Sequence, residues 1–515
     1  MTTTSHPSSS SAALMPLLLP GDILGRVFQY ISLKDLGQCA QICRVWNHFL
    51  FHDDFTWRCK MEDIGWCIQS LGNSNTSHDT TIANYDNGGC SVSRRTIFRD
   101  WILEKSQLAN ALERGNFMGD CDTKPWLLFG HSKTVRSILE MTSKDGNCNY
   151  IVTISDDGEI QYWKLPFESS RPKGKTVPFN LKDRVGTIST AVTTISRDLN
   201  STANVAAIGF KGAIIVQLYW KKEDKGNEDY SLHCRALQNL SGHQGPVRCI
   251  CDVGSHTLIT GCSDGILRVF KLPQKNDLDN GLLVEETGEA QAILQMKGHR
   301  SGVNTVSLGC DNNTVLSHGS DQTVRLWNYE TGGCLWVFHF DKAVAGTEVI
   351  GIRQKEMALF CDSLEQPSMR IMRIPDGKLK KEIKPSSCTL GNSRVCVTCI
   401  YDRFLLCGTE DGSLLQFNVD TGEQTHFLDR ILRSSVLDLE YLLHDTVLAT
   451  GEDGHMVVVK ILDRVDSVRK AKVKVLRDIA LNMRPQRGGL FYSPESSTIL
   501  VPSSGYLVRA FAFSS

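Results

Sequence analysis

The sequence predicts a two-part chain: a small all-α unit at the N-terminal side and, over the rest, an all-β propeller of eight blades, with seven as the alternative count. Three observations carry this. From about residue 124 the 515-residue chain breaks into short apolar runs punctuated by Gly, Asp and Ser. Those runs repeat a local template in which an Asp is followed six residues later by an aromatic residue. Residues 20–62 instead space their apolar side chains as helices do.

The template is clearest in four places: Asp157 to Trp163, Asp264 to Phe270, Asp321 to Trp327 and Asp411 to Phe417. From Asp453 the same step lands on Val459, so the ring is lost there. Gly130-His131, Gly242-His243 and Gly298-His299 precede three of the copies. Weaker copies fill the gaps, and third strands fall near positions 162, 214, 268, 325, 371, 415, 457 and 508. Eight units over residues 124–515 average about 49 residues each, slightly above the usual 40 to 45 for such repeats. Polar insertions at 221–230 and 273–288 account for much of the excess. A ring of sheets must close or leave an edge unpaired, and Trp126 to Phe129 has no unit of its own. It is expected to close the ring as the outer strand of the last blade.

These marks resemble the WD40 repeat, one propeller blade each. In the better copies the residue types permit a buried hydrogen-bond chain of Asp, His, Ser or Thr, and the Trp ring nitrogen. The sets are His131, Thr153, Asp157 and Trp163, then His299, Ser317, Asp321 and Trp327. In the set His243, Thr260 and Asp264, Phe270 replaces Trp and cannot donate, so the chain is expected to stop at Thr260. These sets repeat, as structural devices do and catalytic triads do not. Gly261-Cys262-Ser263-Asp264-Gly265 spells GxSxG, but a strand follows the turn where a hydrolase needs a helix. With no P-loop, no HExxH and no paired CxxC, the chain reads as a non-enzyme without cofactor or metal.

Composition narrows the class further. Fifty-six basic residues against 57 acidic ones leave a net charge of −1, with no global field to hold nucleic acid. The apolar run Leu14 to Leu19 is broken by Pro16 and is far too short to span a bilayer, so no membrane partner is expected. The 18 cysteines are scattered, and Cys396 and Cys399 point to opposite faces of a strand. Buried thiols in a reducing cytoplasm or nucleus are the expectation.

The remaining boundaries follow from composition. Residues 1–15 read as a disordered tail and 16–62 as a three-helix unit. Residues 63–93, rich in Asn, Ser, Thr and Gly, read as a flexible linker, and 94–120 as a helical linker. In the three-helix unit, Leu19-Pro20 opens a first helix, Ser32-Leu33-Lys34-Asp35 a second, and Cys43 to Leu50 a third. About 43 residues is near the size below which a core rarely holds without help.

The run Leu19 to Trp46 resembles an F-box, with its Leu-Pro opening, its Ser-Leu-Lys-Asp-Leu and its closing Cys43-Arg44-x-Trp46. Together with the repeats it looks like the F-box/WD40 class of substrate receptors of SKP-cullin-F-box ubiquitin ligases. The resemblance implies a SKP-type adaptor, through it a cullin and RING core, and a protein substrate, phosphorylated or not. It makes Pro20, Ile23, Leu24, Val27, Leu33, Leu36 and Trp46 candidate adaptor-contact or F-box-core positions. Family members often follow the F-box directly with a rigid helical stalk, whereas here about 25 polar residues intervene before Arg94.

If the chain is a receptor, its substrate face is the mouth built from loops between one blade's outer strand and the next blade's inner strand. Those loops carry Lys133, Arg184, Arg300, Lys342, Arg394 and Arg433, then Arg484 with Arg487. Converging Arg side chains would suit a phosphorylated peptide, although Asp183, Asp341 and Asp429 share the same loops.

Overall fold

The computed structural model describes residues 27–28, 46, 116–117 and most of 126–514, omitting segments such as 272–287 and 462–472. Val27, Phe28 and Trp46 are helical; the rest of the 16–62 unit and the 63–93 linker lie outside the described residues.

The described strands form eight sheets. Seven follow one another along the chain as antiparallel meanders. The first covers 135–180, the second 188–240, the third 247–297, the fourth 303–339, the fifth 344–383, the sixth 395–428 and the seventh 436–480. The remaining sheet is composite: Phe491–Ser493, Thr498–Pro502 and Val508–Ser514 are joined by two strands from before the first sheet. Trp126–Leu128 pairs antiparallel with the strand Val508–Ser514, Leu128 opposite Val508. Asn116–Phe117 pairs further along the same strand, Phe117 opposite Phe513. Of the eight blades expected, seven are meanders, the third interrupted by a polar insertion; in place of an eighth meander stands the composite sheet, closed as expected by Trp126–Leu128. The expected helical stretch 94–120 needs a correction too, because residues 116–117 are strand. The free edge of Val508–Ser514 takes them up, and a sheet edge favours a paired strand over an isolated helical turn.

The second sheet holds a further departure. Gly288–Ala290, from the polar insertion after the third strand of the third sheet, lies parallel to Tyr230–Leu240 as an added fifth strand, Gln238 opposite Gly288. The insertion therefore crosses back to the neighbouring blade before returning to finish its own.

Packing is between sheets, which is why the second strands are covered on both faces. Thr257–Cys262 and Thr314–Gly319 are buried at every position. Buried apolar clusters link neighbours around the ring: first with second sheet through Leu139, Val152, Val216 and Trp220, and sixth with seventh through Tyr401, Leu406, Tyr441 and Val459. The closing contact joins Leu128, Val135, Ile151 and Trp163 to Phe491, Leu500, Val508 and Ala510. At about 25 cal/mol per Å² of apolar surface removed from water, these seams are the main source of stability. No helix among the described residues is long and apolar enough to cross a membrane.

Candidate functional site at the mouth of the ring

One end of the ring is assembled by a repeated backbone stitch. In each case a residue of the turn between the second and third strands donates its N–H to a carbonyl of the loop leading into the first strand. The pairs are Asp156 to Thr134 (2.9 Å), Lys211 to Val185 (2.9 Å), Ser263 to Pro246 (2.9 Å), Ser320 to Gly302 (2.8 Å), Glu410 to Arg394 (2.9 Å) and Glu452 to Ser435 (2.9 Å). Turns and loops of six sheets therefore share one end, and this is the mouth. The turn glycine is demanded by conformation: Gly265 has φ +79°, and a Cβ there would sit 2.9 Å from the His299 carbonyl oxygen. In the fourth sheet Gln322 takes the left-handed position instead, with φ 60°.

Beneath the stitches lie the side-chain chains, each built differently. In the fourth sheet the chain is continuous: Trp327 Nε1 donates to Ser317 Oγ at 2.8 Å, Ser317 Oγ lies 2.7 Å from His299 Nε2, and His299 Nδ1 lies 3.0 Å from Asp321 Oδ1. Asp321 also accepts from the Arg300 N–H (2.8 Å), the Thr323 N–H (3.2 Å) and Thr323 Oγ1 (2.8 Å). Burial alone would raise its pKa, but these donors outweigh it and hold the carboxyl at about 2.

In the first sheet the chain is interrupted. His131 Nε2 meets Thr153 Oγ1 at 2.7 Å, but His131 Nδ1 stands 3.8 Å from Asp157 and the Trp163 ring nitrogen is buried without a hydrogen-bond partner. The expected four-member set is thus broken at two places, leaving His131 with Thr153, Asp157 with other donors, and Trp163 outside the chain. Asp157 is held by the Ser132 N–H and Oγ, by Ser155 Oγ and by the Glu159 N–H. Asp157, His131 and Glu159 bring ligand atoms within 4.8 Å of one another. The four donors already compensate the Asp157 carboxylate without a cation.

The third sheet substitutes a different partner. His243 Nε2 meets Thr260 Oγ1 at 2.8 Å and His243 Nδ1 donates to the Leu240 carbonyl at 3.2 Å, so the chain stops at Thr260 beside the Phe270 ring. Asp264 is taken instead by Arg268, whose Nη1 and Nη2 reach its two oxygens at 3.2 and 2.7 Å. Arg268 is 2% exposed. Against the upward push of burial, Arg268 and the N–H groups of Ile266 and Gln244 bring Asp264 to about 2. Arg268 was missing from the sequence reading, although its place two residues before the aromatic position was visible.

The basic loop residues fall as follows. Lys133, Arg184, Arg300, Arg394 and Arg433 are exposed on the stitched loops. Arg484 is spoken for by Glu452 at 2.5 Å. Lys342 and Arg487 lie outside the described residues.

Sequence reasoning missed a second set at the mouth. The first strands of six sheets carry a register shift at their second residue, so that Arg136, Arg248, Asn304 and Cys396 occupy bulge positions. A bulge re-aims its side chain off the regular alternation. Arg136 forks onto Asp156 at 2.6 and 2.8 Å. Arg248 crosses to the next sheet, donating to Asn304 Oδ1 at 2.6 Å and reaching Ser320 Oγ at 3.4 Å. Cys396 lies 3.3 Å from Ser435 Oγ in the loop of the seventh sheet. Phe210, in the turn stitched to Val185, is 58% exposed and adds an aromatic surface. Strict alternation hides bulged positions, and the polar residues at three of the six, Arg136, Arg248 and Asn304, were the one signal that could have flagged them.

Among the described thiols, Cys251, Cys262, Cys399 and Cys407 are core, whereas Cys334 is exposed. Burial pushes Cys234 and Cys249 up to about 12, and Cys399 and Cys407 are raised as well. Cys396 at the mouth and buried Cys399 do not form a pair.

Of the candidate adaptor positions, Val27 is 44% exposed. Trp46 is half-buried and packs edge-on against Phe28, ring centroids 5.5 Å apart. Pro20, Ile23, Leu24, Leu33 and Leu36 lie outside the described residues.

Comparison with known proteins agrees with this division. The F-box-like family matches residues 17–61, and the WD domain, G-beta repeat family matches 234–271 and 290–328. Among curated proteins, eukaryotic translation initiation factor 3 subunit I of Emericella nidulans is 30% identical over 149 residues, 25% of this chain and 40% of that protein. Ribosome biogenesis protein YTM1 of Kluyveromyces lactis is 31% identical over 99 residues, 19% of this chain and 21% of that protein. The matched region thus spans about two-fifths of the subunit I relative and about a fifth of YTM1. Among solved structures, Sqt1 of Saccharomyces cerevisiae superposes with a TM-score of 0.51 at 12% identity, covering 76% of this chain and all of that one, a likeness of fold alone. Carrying an F-box-like segment and WD repeats in a single chain, the protein is an F-box/WD40-repeat protein.

Proposed function

We propose that the protein is a substrate-recognition subunit of an SCF-type ubiquitin ligase. The F-box-like unit docks on a SKP-type adaptor, which brings the cullin and RING core, while the mouth of the propeller holds a protein substrate. The protein contributes binding and placement; the chemistry of ubiquitin transfer belongs to its partners. The observation that carries this is the coexistence of the two family matches in one chain, 17–61 for the F-box-like segment and 234–271 with 290–328 for the repeats. Buried free thiols such as Cys251 and Cys407 suit a reducing cytoplasm or nucleus.

A phosphorylated substrate segment fits the mouth best. Exposed Arg300, Arg394 and Arg433 sit on stitched loops, Arg248 is pre-oriented by Asn304, and Phe210 offers a flat apolar contact. Each charge-assisted hydrogen bond from Arg to phosphate contributes about 1.5 to 3 kcal/mol, so a few suffice for a switch.

A second reading is a WD40 scaffold outside ubiquitin transfer, favoured by relatives named as a translation initiation factor subunit and a ribosome biogenesis protein. Those matches fall within a minority of the chain. The test is affinity capture of the full chain with a purified SKP-type adaptor, followed by reconstitution with cullin and RING subunits. Stable capture and ubiquitination of a co-purifying protein support the receptor; a chain that ignores the adaptor is the scaffold.

A further inference from the structure

We propose that the helical N-terminal unit is seated in cis on the propeller, over the seam between the sixth and seventh sheets, through the apolar side that carries Phe28 and Trp46.

Phe28 is 0% exposed while Val27 beside it is 44% exposed, so this helix has an inward and an outward side. Among the described residues, the inward side packs on the propeller. Phe28 belongs to one buried apolar cluster with Val397, Tyr401, Leu406 and Leu428 of the sixth sheet and Tyr441 and Val459 of the seventh. Trp46 packs against that same cluster, as do Phe404 and Ile431. Of the seven described clusters, this is the only one with a member from before residue 126. A unit of this size gains stability by sharing a core, and here the propeller supplies the other half. The arrangement also assigns Trp46 to the cis seat and leaves Val27 on the side open to a partner. Rigidity between the adaptor-binding end and the substrate mouth then comes from this seat, and the polar stretch 63–93 need not be stiff.

The test is hydrogen exchange on the full chain, wild type against Phe28→Ala, without any adaptor, so that the outcome is independent of the ligase reading. Truncating a shared core side chain exposes both halves of the seam to local opening. Exchange is expected to accelerate about tenfold or more in peptides covering 17–61 and also in 395–401 and 436–461, with 257–271 and 314–328 unchanged. Unfolding of the helical unit alone still removes the seat, so the propeller peptides must respond in that case as well. Acceleration confined to 17–61 overturns the proposal. If Phe28→Ala disturbs every peptide, Phe28→Leu, which keeps an apolar side chain, makes the same comparison: a response in 17–61 and 395–461 supports the seat, and one in 17–61 alone refutes it.

Discussion

Arg268 grips both carboxylate oxygens of Asp264 from within the same blade, where the next blade uses His299 to hold Asp321. The two devices solve one problem, a carboxylate drawn under a tight turn, but they respond differently to mutation. Arg268→Ala leaves Asp264 with two backbone N–H groups and a half-buried, undercompensated charge, and is expected to cost about 1.5 to 3 kcal/mol in urea unfolding. The double variant Arg268→Met with Asp264→Asn removes both charges together and should lose clearly less than the two single losses added. Additive losses would mean that the pair is not coupled.

Two tryptophans at equivalent places separate hydrogen bonding from packing. Trp327 Nε1 donates to Ser317, whereas Trp163 Nε1 has no hydrogen-bond partner. Replacement by Phe removes similar volume at both sites, but only Trp327→Phe breaks a bond. Trp327→Phe should therefore be the more destabilising by about 1 kcal/mol, read from paired denaturation curves.

Acid should loosen the ring in two stages. Burial lowers His131, His243 and His318 to about 4, from 6.5 when exposed. Because the folded state resists protonation, the unfolded chain binds more protons between these values, and stability falls as pH drops from about 6.5 to 4, by at most about 3 kcal/mol per histidine. Asp264 and Asp321, at about 2 against 3.8 when free, add a second loss as pH falls from near 4 towards 2. Melting temperatures at pH 7.5, 5.5 and 4.5 measure the first stage, and a flat profile would contradict the buried neutral histidines.

On the proposed adaptor face, Leu24→Asp with Val27→Asp should abolish capture by a SKP-type adaptor, since each carboxylate would have to enter an apolar contact. Thermal unfolding of the propeller should be unchanged. Capture at the wild-type level would remove these residues from the interface.

At the mouth, Arg300→Ala and Arg433→Ala should each weaken binding of a phosphorylated substrate peptide by about 10- to 150-fold, corresponding to one lost charge-assisted bond. Retention of the unphosphorylated form should barely change. Equal retention of both forms by the wild-type protein would defeat the phosphate reading.

Local chemistry was legible in the sequence wherever it repeats. The Asp, Gly-His and aromatic spacing placed the turns, and the orphan run at Trp126 pointed to closure. What escaped were departures from regular period. Arg136 and Arg248 sit on bulges, where counting by twos assigns the wrong face, and Arg268 replaces a partner that the template supplies elsewhere. The parallel strand Gly288–Ala290 came from an insertion whose polar composition gave no sign of pairing. Asn116–Phe117 became strand because a distant edge was available, which no local pattern reports. The spacing of Phe28 and Trp46 showed amphipathic helices but not which surface would cover them.

The composite sheet makes synthesis order matter. Its strand Val508–Ser514 is the partner of Asn116–Phe117 and Trp126–Leu128, made nearly 400 residues earlier. Until that strand leaves the ribosome the circle is a horseshoe with two sticky margins, so chaperone demand should peak late in translation. A premature stop just before residue 508 would strand both margins at once.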